Sequence, residues 1–366
     1  MMCTRVVNSS KCFANIMSWS KGLSQIVAHG EYCLLGRLPS TSYGEIFLAK
    51  STRSADGGAL LTYLRVEHES GSGAARAKFF IDTSRALLHC SHAHITEVID
   101  CGDADDELFV VKKFLHGKGL DELLDSIEQS GKPLRAESLS KIGLSVADGL
   151  GFVHSKHRCH GALTLENVAI GYDGEVKISN FGIGSDHLSA NSDMSTDEWD
   201  ESVIRLSPEQ VDGQAATPRS DVFLAGMIFF ELLTGRAPFQ NKNRQGSLKL
   251  LSEAKLVFPE KSTLPASIAE VVVACLAKDP SERFADGYAL LEALKATVWG
   301  DDFSENTNDL KDLMMLSFSE DYTRERPHIE QYRQLDVKGA DDSEENTSAQ
   351  ETAQSQTTIQ DISLIR

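Results

Sequence analysis

Residues 153–170 read VHSKHRCHGALTLENVAI. Histidine, glutamate and asparagine close together are groups that move protons or hold metal ions. The stretch has the cadence of a catalytic loop, but Ala162 stands where a loop of that shape would hold a carboxylate. A methyl group accepts no proton. Two histidine groups invite a metal reading: His89, His92 and His94 beside Cys90, and His154, His157 and His160 in steps of three.

Composition narrows the field. The chain has 366 residues, enough for two domains or for one large domain with a tail. Its net charge of −18 argues against nucleic acid or an anionic membrane as partner. From Asp301 to Arg366 there are 16 Asp and Glu against 6 Lys and Arg, so over half of that charge lies in the last stretch. Seven cysteines, an odd number with no C-x-x-C pair, make a disulfide framework or a zinc site a poor fit and suit a reducing cytoplasm. No run approaches the roughly 18 apolar residues of a membrane span, and residues 1–30 look like an extension without a signal-type core.

The elements that would position these residues follow from patterning. Between Glu31 and Leu115, YCLLGRL, YGEIFLAK, ALLTYLRV, ITEVIDCG and ELFVVKKFL are strand-like, and GAARAKFFIDTSRALLHC after the third is helical. From Gly119 onward the pattern is helical, in GLDELLDSIEQS, AESLSKIGLSVADGLGFVHSK, RSDVFLAGMIFFELLTG and beyond, with a hairpin signal at YDG. The fold class expected is α+β: a small β-rich lobe over 31–115 and a larger helical lobe over 116–300. Residues 301–366 are expected to be an acidic, largely disordered tail. Within it DLMMLSF either docks as a helix or stays loose.

Three pieces in this order resemble the protein kinase domain, closest in flavour to bacterial eukaryotic-type serine/threonine kinases, over roughly residues 31–298. They are LSPEQ at 206–210, RSDVFLAG with ELLTGRAPF, and LAKDPSERF. The resemblance implies a bilobal fold. It also implies an ion pair of Glu209 with Arg283 and a carboxylate, Asp221, that accepts hydrogen bonds from the catalytic-loop backbone. His92, His94, His154 and His160 take ordinary structural places in it, so no metal site is expected.

The chemical positions depart from the family. Phosphoryl transfer needs groups that hold phosphates, hold magnesium and orient a hydroxyl. On the glycine-rich loop the three glycine positions are Pro39, Thr41 and Gly44, and only the last is kept. The V-A-I-K strand reads ALLT, with Leu60 at the alanine that lies over adenine and Thr62 at the lysine. The helix glutamate that pairs with that lysine falls on Thr83; Asp82, one residue away, is the alternative. In the catalytic loop Ala162 takes the base position and Thr164 the lysine position, Gly161 replaces an arginine, and Asn167 keeps a secondary magnesium position. D-F-G becomes Asn180, Phe181 and Gly182, a neutral amide in place of the main metal ligand. Lys112 occupies the gatekeeper position behind the adenine slot. It either reaches in to replace the lost lysine, or plugs the slot, or leans out beside Asp82.

The resemblance with these departures implies a soluble, cytoplasmic pseudokinase without catalytic residues, metal or cofactor, which works by binding proteins. Two other readings stay open: ATP held without magnesium as a sensor, or a kinase rewired around Lys112 or Lys50 with Asn167 and Asn180. The partners implied are an active kinase or a phosphothreonine-reading forkhead-associated domain. The latter would dock on Thr357 or Thr358 in QTTIQD, and phosphate there would add charge for an arginine-lined reader. Substrate anchoring is also altered, because Ser202 takes the place of a threonine in the activation segment.

Overall fold

A computed structural model describes residues 27–29, 31–41, 44–52, 59–66, 72–104, 107–131, 134–182, 205–239, 244–254, 256, 265–302, 308–335 and 337. The first lobe is an antiparallel sheet of β1 (Val27–His29), β2 (Tyr32–Thr41), β3 (Gly44–Ser51), β4 (Leu61–Val66), β5 (Val98–Ala104) and β6 (Glu107–Lys113), in the order β1-β2-β3-β4-β6-β5. Five of these strands coincide with the strand-like runs. The sixth, β1, lies in the stretch expected to be a patternless extension and pairs its three residues with Tyr32–Leu34. Three residues are too few to show a period in sequence.

The period-2 alternation of β4 decides what faces the interlobe cleft. Leu61 and Tyr63 join Tyr32, Phe47 and Val111 in a cluster on one face. Thr62 shares the other face with Leu64 and Val66, which pack with Phe80 and Ile81 of α1 (Ser72–Ala86) and with Val110 of β6. Thr62 is directly opposite Lys112 in the β4–β6 register.

After the connecting strand β7 (Gly117–Gly119) come α2 (Leu120–Ser130) and the long α3 (Ala136–Ser155), then the hairpin of β8 (Val168–Gly171) and β9 (Val176–Ile178). The short α4 (Pro208–Val211) leads to α5 (Pro218–Thr234), which is buried along nearly its whole length. Pro218 at its first turn, Thr217 as N-cap and Gly235 at φ 66° as C-cap delimit α5. Around it pack α6 (Arg244–Glu253), α7 (Ala266–Cys275), α8 (Gly287–Lys295) and α9 (Val298–Asp302). At the α3–α8 crossing Gly287 meets Gly151, where a Cβ would collide with backbone.

The expectation of a largely disordered tail fails for part of its span. Residues Asp309–Gln334 form α10, 26 residues long and kinked at Phe318. Leu310, Met314, Tyr322, Ile329 and Tyr332 recur at steps that keep one face inward. Averaging composition over the acidic segment hides that stripe. Among the described residues, no helix is long and apolar enough to cross a membrane.

Candidate active site

The loop after α3 is held from below by Asp221 of α5, which is fully buried. One carboxylate oxygen accepts from the Gly161 N–H (2.8 Å) and the other from the His160 N–H (2.6 Å). His154 Nε2 lies 2.9 Å from the second oxygen, and the Gly287 N–H donates to His154 Nδ1 at 3.0 Å. Because Nδ1 accepts, the ring hydrogen is on Nε2 and points at Asp221. His160 donates through Nε2 to the Ser179 carbonyl (3.0 Å), and burial pushes its pKa down. Gln210 Nε2 adds a 2.7 Å bond to the Gly161 carbonyl.

Glu209 and Arg283 form a two-pronged ion pair at 2.8 and 2.9 Å, with the Ser220 hydroxyl donating to the same carboxylate. Arg283 also donates to the carbonyls of Ala277, Lys278 and Arg219 and lies over the Phe223 ring. Burial alone would raise the Glu209 pKa, but the hydrogen bonds from Arg283 and Ser220 hold it below the usual carboxylate range.

On this frame sits a chain of three polar side chains. Lys112 Nζ donates to Asn180 Oδ1 at 2.5 Å, Asn180 Nδ2 to Asn167 Oδ1 at 2.8 Å, and Asn167 Nδ2 to the Ala162 carbonyl at 3.1 Å. An ammonium only donates, so it fixes the orientation of both amides in turn. Asn180 is at φ 64°, a left-handed conformation that asparagine tolerates better than most side chains. Lys112 is buried, and desolvation pushes its pKa down to about 8. Its ammonium points to Asn180 and so does not lean out beside Asp82. Asp82 is itself exposed and bonded to Arg85, so it does not replace the helix glutamate. Lys50 does not reach this site either: its ammonium donates to the carbonyls of Arg333 and Leu335.

Thr83 is buried on α1, and Leu60 is buried in a cluster with Cys33, Leu35 and Leu48. Pro39 and Thr41 belong to β2, whose strand runs on to Thr41 and pairs it with Gly44 at the start of β3. Thr164 precedes the 3-10 turn Leu165–Asn167, its hydroxyl buried and, among the described residues, without a hydrogen-bond partner. His92 and His94 approach Asp148 at 3.4 and 3.8 Å, and among the described residues no group of His, Cys, Asp and Glu could hold a metal ion. Ser202, Thr357 and Thr358 lie outside the described residues.

Two groups near the site escaped sequence reasoning. Asp121 at the start of α2 is pushed up to about 6 by burial, with Glu122 and Glu166 adding to the shift. Glu325 of α10 meets Lys118 at 3.0 Å, His116 at 3.2 Å and the Tyr172 hydroxyl at 3.4 Å. Burial would raise its pKa, but His116 and Lys118 hold it low. No local motif marks either group, since both depend on which surfaces the helices bring together.

The set does not suit a magnesium–nucleotide complex. The amide oxygens at both metal positions already accept a hydrogen bond in the chain from Lys112, and the cation on Asn180 is an ammonium. A divalent ion about 4 Å from that ammonium would be repelled by about 8 kcal/mol at an effective dielectric near 20.

Residues 33–287 match the family model described as protein tyrosine and serine/threonine kinase. The chain belongs to that family. It is 26% identical over 257 residues to serine/threonine-protein kinase PrkC of Bacillus subtilis, a match covering 70% of this chain and 38% of that protein. It is 31% identical over 217 residues to serine/threonine-protein kinase PknL of Mycobacterium tuberculosis, covering 58% and 53%. The matched region thus spans between about a third and about half of these relatives. The crystal structure of the Mycobacterium tuberculosis PknI kinase domain superposes with a TM-score of 0.57 at 18% identity, over 74% of this chain and 97% of that one. It is a likeness of fold, and the two-lobed α+β architecture is the kinase fold.

Proposed function

We propose that this chain is a pseudokinase, a kinase-fold domain that acts by binding other proteins without transferring phosphate. The observation that carries the reading is the closed chain Lys112–Asn180–Asn167–Ala162. It replaces a base and a metal-binding carboxylate by a methyl group and an amide, and places a protein ammonium on the amide. General bases and metal ligands act together, and losing one of such a set already costs orders of magnitude in rate. Meanwhile the Asp221 and Glu209–Arg283 supports are retained in full geometry. The partners we favour are an active kinase or a phosphothreonine-reading forkhead-associated domain, and the compartment is the cytoplasm.

The test is transfer from labelled ATP, with Mg²⁺ or Mn²⁺, to the chain itself and to a generic protein substrate. No transfer above background is expected. Transfer that disappears on Asn167→Ala with Asn180→Ala would overturn the reading in favour of rewired catalysis.

A second reading, an ATP sensor that needs no magnesium, is favoured by the position of the Lys112 ammonium, which could meet a phosphate directly. It predicts a thermal shift with ATP that survives EDTA and is lost in Lys112→Met. The binding-scaffold reading predicts no shift with ATP, with or without the metal.

A further inference from the structure

The family match ends at residue 287, and α10 begins at Asp309, beyond it. This added helix touches three parts of the domain in order. Its first turns belong to the helical lobe: Leu310 and Met314 are completely buried in the main core, and Asp309 pairs with Arg135 at 3.1 Å. Its middle crosses the connection between the lobes, where Glu325 meets Lys118 and His116 and the Tyr322 ring packs on His116 and Tyr172. Its end belongs to the β-rich lobe. Ile329, Tyr332, Leu335 and Val337 pack with Cys33, Leu35, Leu48 and Leu60.

The junction at that end is specific. Lys50, almost fully buried on β3, places its ammonium 2.9 Å from the Arg333 carbonyl and 2.6 Å from the Leu335 carbonyl. These are the acceptors left open where a helix ends, and a cation is favoured at that end of the helix dipole. The kink at Phe318, with Lys118 over its ring, turns the helix between its first and second anchors.

We propose that α10 is an intramolecular strap that fixes the angle between the two lobes and holds Leu60, at the adenine-ceiling position, in an apolar cluster shared with the strap. Rotation about the connection at residues 114–119 would have to break either the Glu325 contacts or the Lys50 cap, because the helical run after the kink, residues 319–334, joins them. This holds whether or not the chain transfers phosphate, so its failure would leave the pseudokinase reading untouched.

The test uses the full chain with spin-labelled amino acids incorporated at positions 78 and 292, one exposed site on each lobe. The expected distance distribution is a single narrow peak. Ile329→Asp should at least double its width and speed amide exchange in 44–51, 61–66 and 114–119 about tenfold, with exchange in 218–234 unchanged. Ile329→Leu should keep the native width. If Ile329→Asp does not fold, Tyr332→Ala with Glu325→Gln serves, and the same broadening is expected. An unchanged width with α10 shown by exchange to be detached would overturn the proposal, as would a wild-type distribution already broad.

Discussion

Arg283→Ala is expected to lower the midpoint of thermal unfolding by on the order of 10 °C. The pair with Glu209 is buried, and removing one partner leaves the other charge unpaired in a dry site, a loss of about 3–5 kcal/mol. For a domain of this size each kcal/mol moves the midpoint by about 2–4 °C. Calorimetry at pH 7 measures it. The pH dependence has a definite sign. Glu209 is held below its unfolded value of 4.5, so its contribution is present above that pH and lost as pH falls through the lower folded value. The gap between wild type and Arg283→Ala should therefore close on acidification below 4.5. A shift of under 2 °C at pH 7 would show that Glu209–Arg283 does not hold α4 to the helical lobe.

That expectation concerns a part of the molecule that was legible beforehand, for a physical reason. Glu209, Asp221 and Arg283 are charged residues at buried positions, tolerated only where specific partners exist, and so they sit in short ordered motifs. The strands were legible as short strand-like runs between turns, and α5 as a long apolar helical run. What stayed hidden depends on surfaces meeting at a distance. The sequence places Lys112 behind the cleft but leaves open where its ammonium goes, and only the fold shows it on Asn180. The strap was legible only at DLMMLSF, one reading of which was a docked helix; its other inward residues are spaced through an acidic segment whose average composition reads as disorder. Lys50 looked like a spare cation for chemistry, and only the end of α10 shows what it bonds.

Lys112 carries the second large effect. Its ammonium is buried against a neutral amide, with a pKa pushed from 10.5 to about 8. A shift of that size corresponds to about 3 kcal/mol by which burial penalises the charged form. Below pH 8 the lysine is protonated in both folded and unfolded chains, and the penalty is paid in full. Between pH 8 and 10.5 the unfolded chain binds more protons, so folding grows more favourable as pH rises. Lys112→Met removes this dependence. Other titrations cancel in the difference, so wild type should gain on Lys112→Met by about 3 kcal/mol across that window. Chemical denaturation of both proteins at pH 7.5, 9 and 10.5 measures it, and parallel curves would sink the assignment of a strained ammonium. At pH 7 the variant is relieved of the penalty but leaves Asn180 Oδ1 without its donor, at a cost of about 1–3 kcal/mol. The two nearly offset there, so the slope with pH is the informative quantity. A methionine at that position would pack without either cost. The lysine instead supplies one fixed positive charge to the amides at the family's metal positions, and that charge disfavours a divalent ion and favours a phosphate by the same Coulomb law. The site is therefore set by its own cation, and any nucleotide it meets must come to terms with Lys112 before it can engage a metal.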